Sequence, residues 1–127
     1  MNLALDANAY CDLCKGNDDV LHLVRTANTV VLTVFTVATL RSAFSRGWQG
    51  SGNEKILSRF LNNARVRVIF PDEQTVFHYG RLLRQLKTQG SALPINDLWV
   101  ASLIVQHDLV LRSTDRHFDS LPQLVRV

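Results

Sequence analysis

Apolar residues recur along this chain in two alternating rhythms. Short, nearly continuous runs occur at residues 2–5 ("NLAL"), 29–33 ("TVVLT"), 66–70 ("VRVIF") and 108–113 ("DLVLRS"), with "LVRV" at the end as a fifth candidate. Such runs are the signature of strands buried on both faces. Between them, apolar positions return every three or four residues, as amphipathic helices require. Tyr10, Leu13 and Cys14 share a face from Asn8 to Gly16, and Val20, Leu21 and Val24 share one after a cap at Asn17 or Asp18. Val37, Leu40 and Phe44 predict a helix over 34–47. Ile56, Leu57, Phe60 and Leu61 predict another, capped by Ser51 or Gly52 with Glu54 in its first turn. The longest helix opens at Pro71 and Asp72 and closes at Gly90, as proline and glycine favour. A strongly apolar helix spans 95–107, and "TDRHFDSLP" makes a short turn or helix. Strands alternating with helices predict an α/β fold: a single domain over residues 1–127, with a central, mostly parallel four- to five-stranded sheet and helices on both faces.

Composition supports a globular domain. The chain has 127 residues, 46% hydrophobic and 20% charged, enough for one core. No apolar run nears the roughly 20 residues of a membrane span, and "MNLALDANAY" lacks the basic start of a signal peptide. A cytoplasmic location is therefore expected. Cys11 and Cys14 form a lone "CDLC", short of the four ligands of a zinc site, and read as reduced thiols one helical turn apart. The net charge is +3, and Arg41, Arg46, Lys55, Arg59, Arg65 and Arg67 form a basic middle opposed only by Glu54. Such a segment suits either phosphates or a solvated helix face.

The acids are more specific. Asp6 follows the first strand, Asp115 follows the 108–113 strand, and Asp97 stands in the first turn of the apolar helix. A parallel sheet brings strand carboxyl ends and nearby helix starts to one rim. Two carboxylates about 4 Å apart repel by on the order of 4 kcal/mol at an effective dielectric near 20, so a cluster there calls for a cation. Mg²⁺ or Mn²⁺, which take oxygen ligands, fit that need. Each acid also has a local explanation, as a helix cap or turn residue. Asp119 reads as a fourth, outer ligand or, in preference, as the cap of the "SLP" turn, and Asp12, Asp18, Asp19, Asp72 and Asp108 as caps or surface charges. His22, His78, His107 and His117 show no spacing typical of a metal site. Phosphate-binding glycine loops and nucleophile elbows are absent from the sequence.

With "LALDANAY", "LPINDLWVASL" and "LVLRSTDRHFDSLPQL" in this order, the chain resembles the PIN-domain ribonucleases, particularly VapC-type toxins of bacterial toxin–antitoxin pairs. The resemblance implies a metal-dependent endoribonuclease that uses Mg²⁺ or Mn²⁺ on an RNA substrate, forms a homodimer and is held inactive by a small antitoxin. It carries Asp6, Asp97 and Asp115 over as catalytic, metal-binding acids, with Asn8 and Ser113 in support. One position departs. Family members carry Gly-Glu-Leu on the helix after the second strand, and this chain reads Ala38-Thr39-Leu40 within "VATLRSAF". Thr39 can hydrogen-bond at the site but brings no charge, so weaker metal binding and attenuated cleavage are expected. The alternative is a catalytically inactive PIN-domain protein that serves as an antitoxin-binding partner. On the enzyme reading, Arg41 and Arg46 would grip RNA phosphates and Trp48 would stack on an unpaired base.

Overall fold

A computed structural model describes residues 1–47 and 50–127, so the stacking expected of Trp48 falls outside the described residues. The chain runs β1 (Asn2–Leu5), α1 (Ala7–Cys14), α2 (Asp18–Thr26), β2 (Thr29–Thr33), α3 (Val34–Arg46), α4 (Gly50–Leu61), β3 (Val66–Ile69), α5 (Glu73–Gln89), α6 (Ile95–Gln106), β4 (Val110–Arg112), a 3-10 turn (Arg116–Ser120) and β5 (Val125–Arg126). The strands form one sheet in the order β3-β2-β1-β4-β5, and every pairing is parallel.

Side-chain alternation explains why both faces of this sheet need helices. Leu3 and Leu5 of β1 and Val30 and Leu32 of β2 point into one core, beneath α1 to α4. Ala4 and Val31 point the other way, into the core shared with α5, α6 and Phe118. A strand apolar on both sides has no solvent face, and the continuous apolar runs follow from that.

The strand order places the functional crevice. From β1 the chain steps outward to β2 and β3, then returns through α5 and α6 to the other side of β1 and continues to β4 and β5. The reversal falls between β1 and β4, where Leu5 pairs with Arg112. In open parallel sheets such a reversal leaves a crevice at the carboxyl ends of the two diverging strands.

Several local expectations are corrected. Helix α4 starts at Gly50, so Ser51 and Gly52 lie inside it and Glu54 lies beyond its first turn. The close approach explains the start: a Cβ on Gly50 would collide with the Phe44 carbonyl oxygen. Ile56 of that helix is exposed, whereas Leu57 is buried. Strand β3 ends at Ile69 and leaves Phe70 exposed. Asp119 pairs with Arg126 of the edge strand (2.5 Å) instead of capping a turn. Helix α5 ends as expected, on Gly90 in the left-handed region at φ 72°.

Candidate acidic active site

Asp6 is the residue immediately after β1. Its carboxylate caps α1 by accepting the Ala9 amide hydrogen at 2.8 Å. The cap and the rim are thus one position. The strand delivers the residue to the crevice, and the helix that must start there holds its rotamer. Asp115 repeats the arrangement after β4: it caps the 3-10 turn by accepting the His117 amide at 2.9 Å. Ser113, buried just past β4, accepts the Asp115 amide at 3.0 Å and lies near the Asp6 carboxyl, whose pKa it lowers. It stands beside both acids. Asp97 comes from the first turn of α6, whose N-cap, Pro94, makes no side-chain capping bond.

These residues share a cleft of about 200 Å³ lined by Asp6, Asn8, Thr36, Thr39, Asp97 and Asp115, among others. Among the described residues lining it there is no lysine or arginine. Burial pushes the Asp6 carboxyl above its ordinary pKa, and the charges of Asp115 and Asp97 push the same way, against the Ser113 and Ala9 hydrogen bonds. Asp97 is also raised, first by burial and then by Asp115, while His117 opposes the shift. Burial is thus the leading cause at both acids.

His117 departs from the sequence expectation. Its Nδ1 lies 2.9 Å from Asp97 Oδ2 and 3.2 Å from Asp115 Oδ1. One ligand atom from each of these three residues falls within 4.8 Å of the other two. The spacing of His117 from Asp115 held a clue, since i+2 after a turn cap returns to the same side. Its partner Asp97, however, is distant in sequence. Thr36, buried one turn before Thr39 and lining the same cleft, was likewise not singled out.

The remaining positions differ in how they meet the cleft. Asn8 is exposed at its edge on the first turn of α1. Thr39 faces it too, but its hydroxyl donates to the Phe35 carbonyl at 3.0 Å. Arg41 and Arg46 do not line it; Arg41 is paired with Glu54 at 2.7 Å. A larger groove of about 680 Å³ lies elsewhere, between α5, α6 and Gln123, and contains none of the three acids. Volume alone is a poor guide to the chemistry here.

Known proteins resemble this chain. Residues 3–124 match the PIN domain family. The chain is 36% identical over 113 residues to Ribonuclease VapC1 of Haemophilus influenzae (strain R2866), covering 84% of this chain and 81% of that protein. It is 26% identical over 106 residues to Ribonuclease VapC2 of Rickettsia felis, covering 83% and 78%. Among solved structures, VapBC-1 from nontypeable Haemophilus influenzae superimposes with a TM-score of 0.87 at 25% identity, over 100% of this chain and 97% of that one. VapBC2 from Rickettsia felis, bound to a DNA fragment from its promoter, gives 0.86 at 25% identity, over 100% and 98%. The chain belongs to the PIN-domain family, and its relatives there are VapC proteins.

Proposed function

We propose that this protein is an endoribonuclease toxin of the VapC type that hydrolyses RNA phosphodiesters with a divalent cation held by Asp6, Asp97 and Asp115. The observation that carries the reading is the convergence of three carboxylates, without a neighbouring lysine or arginine among the described lining residues, at the sheet's reversal point in a PIN fold. The donor set fits the cation: oxygen ligands from three separate elements line one cleft with no lysine or arginine among the described lining residues. Bound there, Mg²⁺ or Mn²⁺ would neutralise charge on the phosphoryl oxygens and acidify a water.

The chain's own groups supply the rest. Asp6, whose carboxylate is fixed by the Ala9 amide at the end of β1, would hold the cation together with Asp97 and Asp115. Ser113 holds the Asp115 amide, and the buried Phe118 anchors the turn that carries Asp115. Asn8 offers an amide at the cleft edge. Thr39, whose hydroxyl proton is engaged by Phe35, leaves only an oxygen lone pair where family members supply a carboxylate, so cleavage is attenuated. Arg46, and Arg41 when released from Glu54, bind flanking phosphates on the far part of α3. A small antitoxin partner is supported by the VapBC complexes among the structural relatives. A homodimer is supported by the exposed apolar side chains Phe70, Val76 and Phe77 around the start of α5.

The test is cleavage of a panel of structured RNAs with Mn²⁺ by the wild type and by Asp97→Asn. Cutting by the wild type alone is expected; equal cutting by both contradicts the assignment. Thr39 favours a second reading, a catalytically inactive antitoxin-binding partner. Growth arrest that appears only in Thr39→Glu, with none from the wild type, selects that reading.

A further inference from the structure

His117 stands in the acidic rim without a role in the reading above. Its backbone amide is fixed on Asp115 Oδ1 at 2.9 Å, and the next residue, Phe118, is buried in the core. The imidazole is thus carried to Asp97 and Asp115 by a short, anchored turn, yet its side chain remains about half exposed (54%). Packing against the core does not explain its position; the two carboxylates do.

We infer that His117 is itself a ligand of the bound cation through Nδ1, and that this nitrogen shifts the site's preference from Mg²⁺ toward Mn²⁺, Co²⁺ and other first-row transition metals. The inference rests on the metal-dependent reading and adds to it a donor outside the three acids. Two observations support it. The first is spacing: neighbouring ligands on an octahedral ion with bonds of about 2.1 Å are about 3.0 Å apart. Nδ1 sits 2.9 and 3.2 Å from oxygens of Asp97 and Asp115; without a cation the 2.9 Å contact is an Nδ1–H hydrogen bond to Asp97, and a bound ion would take that proton's place at the same spacing. The second is charge. Thr39 contributes no anion on α3, so the rim holds three carboxylates, and a neutral imidazole fills a coordination position without adding repulsion. Ligation requires the tautomer with its proton on Nε2, which leaves the Nδ1 lone pair for the metal. Imidazole donors suit transition metals, whereas Mg²⁺ favours oxygen.

The experiment uses the full, tag-free chain loaded with Mn²⁺ and read by pulsed electron paramagnetic resonance. A ¹⁴N coupling is expected in the wild type, replaced by a ¹⁵N coupling after histidine labelling and lost in His117→Gln. In parallel calorimetry, His117→Gln should lose Co²⁺ affinity by about 10- to 100-fold, the scale on which groups that support a bound metal act. Its Mg²⁺ affinity should change far less. Mn²⁺ bound without a histidine coupling, or tighter metal binding by His117→Gln, overturns the ligand role and leaves the carboxylate site standing. Failure of both wild type and Asp97→Asn to bind Mn²⁺ or Co²⁺ overturns the metal-dependent reading beneath it.

Discussion

Asp6 and Asp72 hold the same local job and live in opposite electrostatic settings. Each is the N-cap of a helix, and each accepts backbone amides of that helix. Asp72 completes a capping box with Thr75, accepts the Gln74 amide at 2.9 Å and receives the Gln106 side chain at 2.8 Å. Led by the Gln106 bond, these donors hold its carboxyl below the ordinary range. Asp6 accepts one backbone amide, is partly buried and faces two more carboxylates, so its pKa rises. A cap is a local device. What turns one cap into a candidate site is the tertiary convergence of Asp97 and Asp115 on the same cleft.

The contrast breaks most visibly in catalysis. Asp97→Asn should lower Mn²⁺-dependent RNA cleavage by at least about 100-fold, since a group that binds the metal cannot be replaced by a neutral one without losing its charge. Asp72→Asn should leave cleavage unchanged. Next in size, Thr39→Glu should raise cleavage and Mn²⁺ affinity by about tenfold, the order of one added carboxylate at about 1.4 kcal/mol. A rate assay over a range of Mn²⁺ concentrations separates the two effects.

Stability should divide the same two acids by sign. A raised carboxyl pKa means that the fold binds the proton more tightly than the unfolded chain does. Asp6 therefore favours the metal-free fold at acidic pH, and this contribution is lost as pH rises through its folded pKa. Asp6→Asn, which keeps the capping oxygen, should raise the melting temperature of metal-free protein at neutral pH, with the gain vanishing in acid. Asp72, with its pKa lowered, contributes stability above its unfolded pKa and loses it as pH falls through the folded value. Asp72→Ala should therefore lower the melting temperature at neutral pH and matter least in acid. Thermal melts across pH decide both.

The smallest effects belong to the basic helix. Arg46→Ala should weaken RNA binding and reduce the salt slope by about 0.7, one single-strand phosphate contact. Arg41→Ala should do less, because Glu54 already holds that guanidinium. Equal losses from both would show that the ion pair opens on RNA.

The legible parts of the sequence were those set by local periodicity or by chain order. Leu3, Leu5, Val30 and Leu32 read as buried strands because both faces are covered, and Asp6, Asp97 and Asp115 read as rim residues because parallel topology sends strand ends together. The choice between cap and site at Asp6 could not be made locally, and the structure assigns it both positions. His117 was missed because its second carboxylate lies 20 residues away, across the start of α6. The Asp119–Arg126 and Arg41–Glu54 pairs also depend on contacts between elements. Helical periodicity placed Ile56 inward, but it lies beside the Tyr10–Cys14 face at the surface instead of under the sheet.

The most direct test of the shared cation site is a Mn²⁺ titration of the melting temperature at neutral pH for the wild type, Asp6→Asn, Asp97→Asn and Asp115→Asn. An ion that binds only the folded state at 100 times its Kd stabilises by about 2.7 kcal/mol. The account predicts a saturable rise for the wild type that is lost or sharply reduced in every variant. A wild type indifferent to Mn²⁺, or four proteins that respond alike, would contradict it.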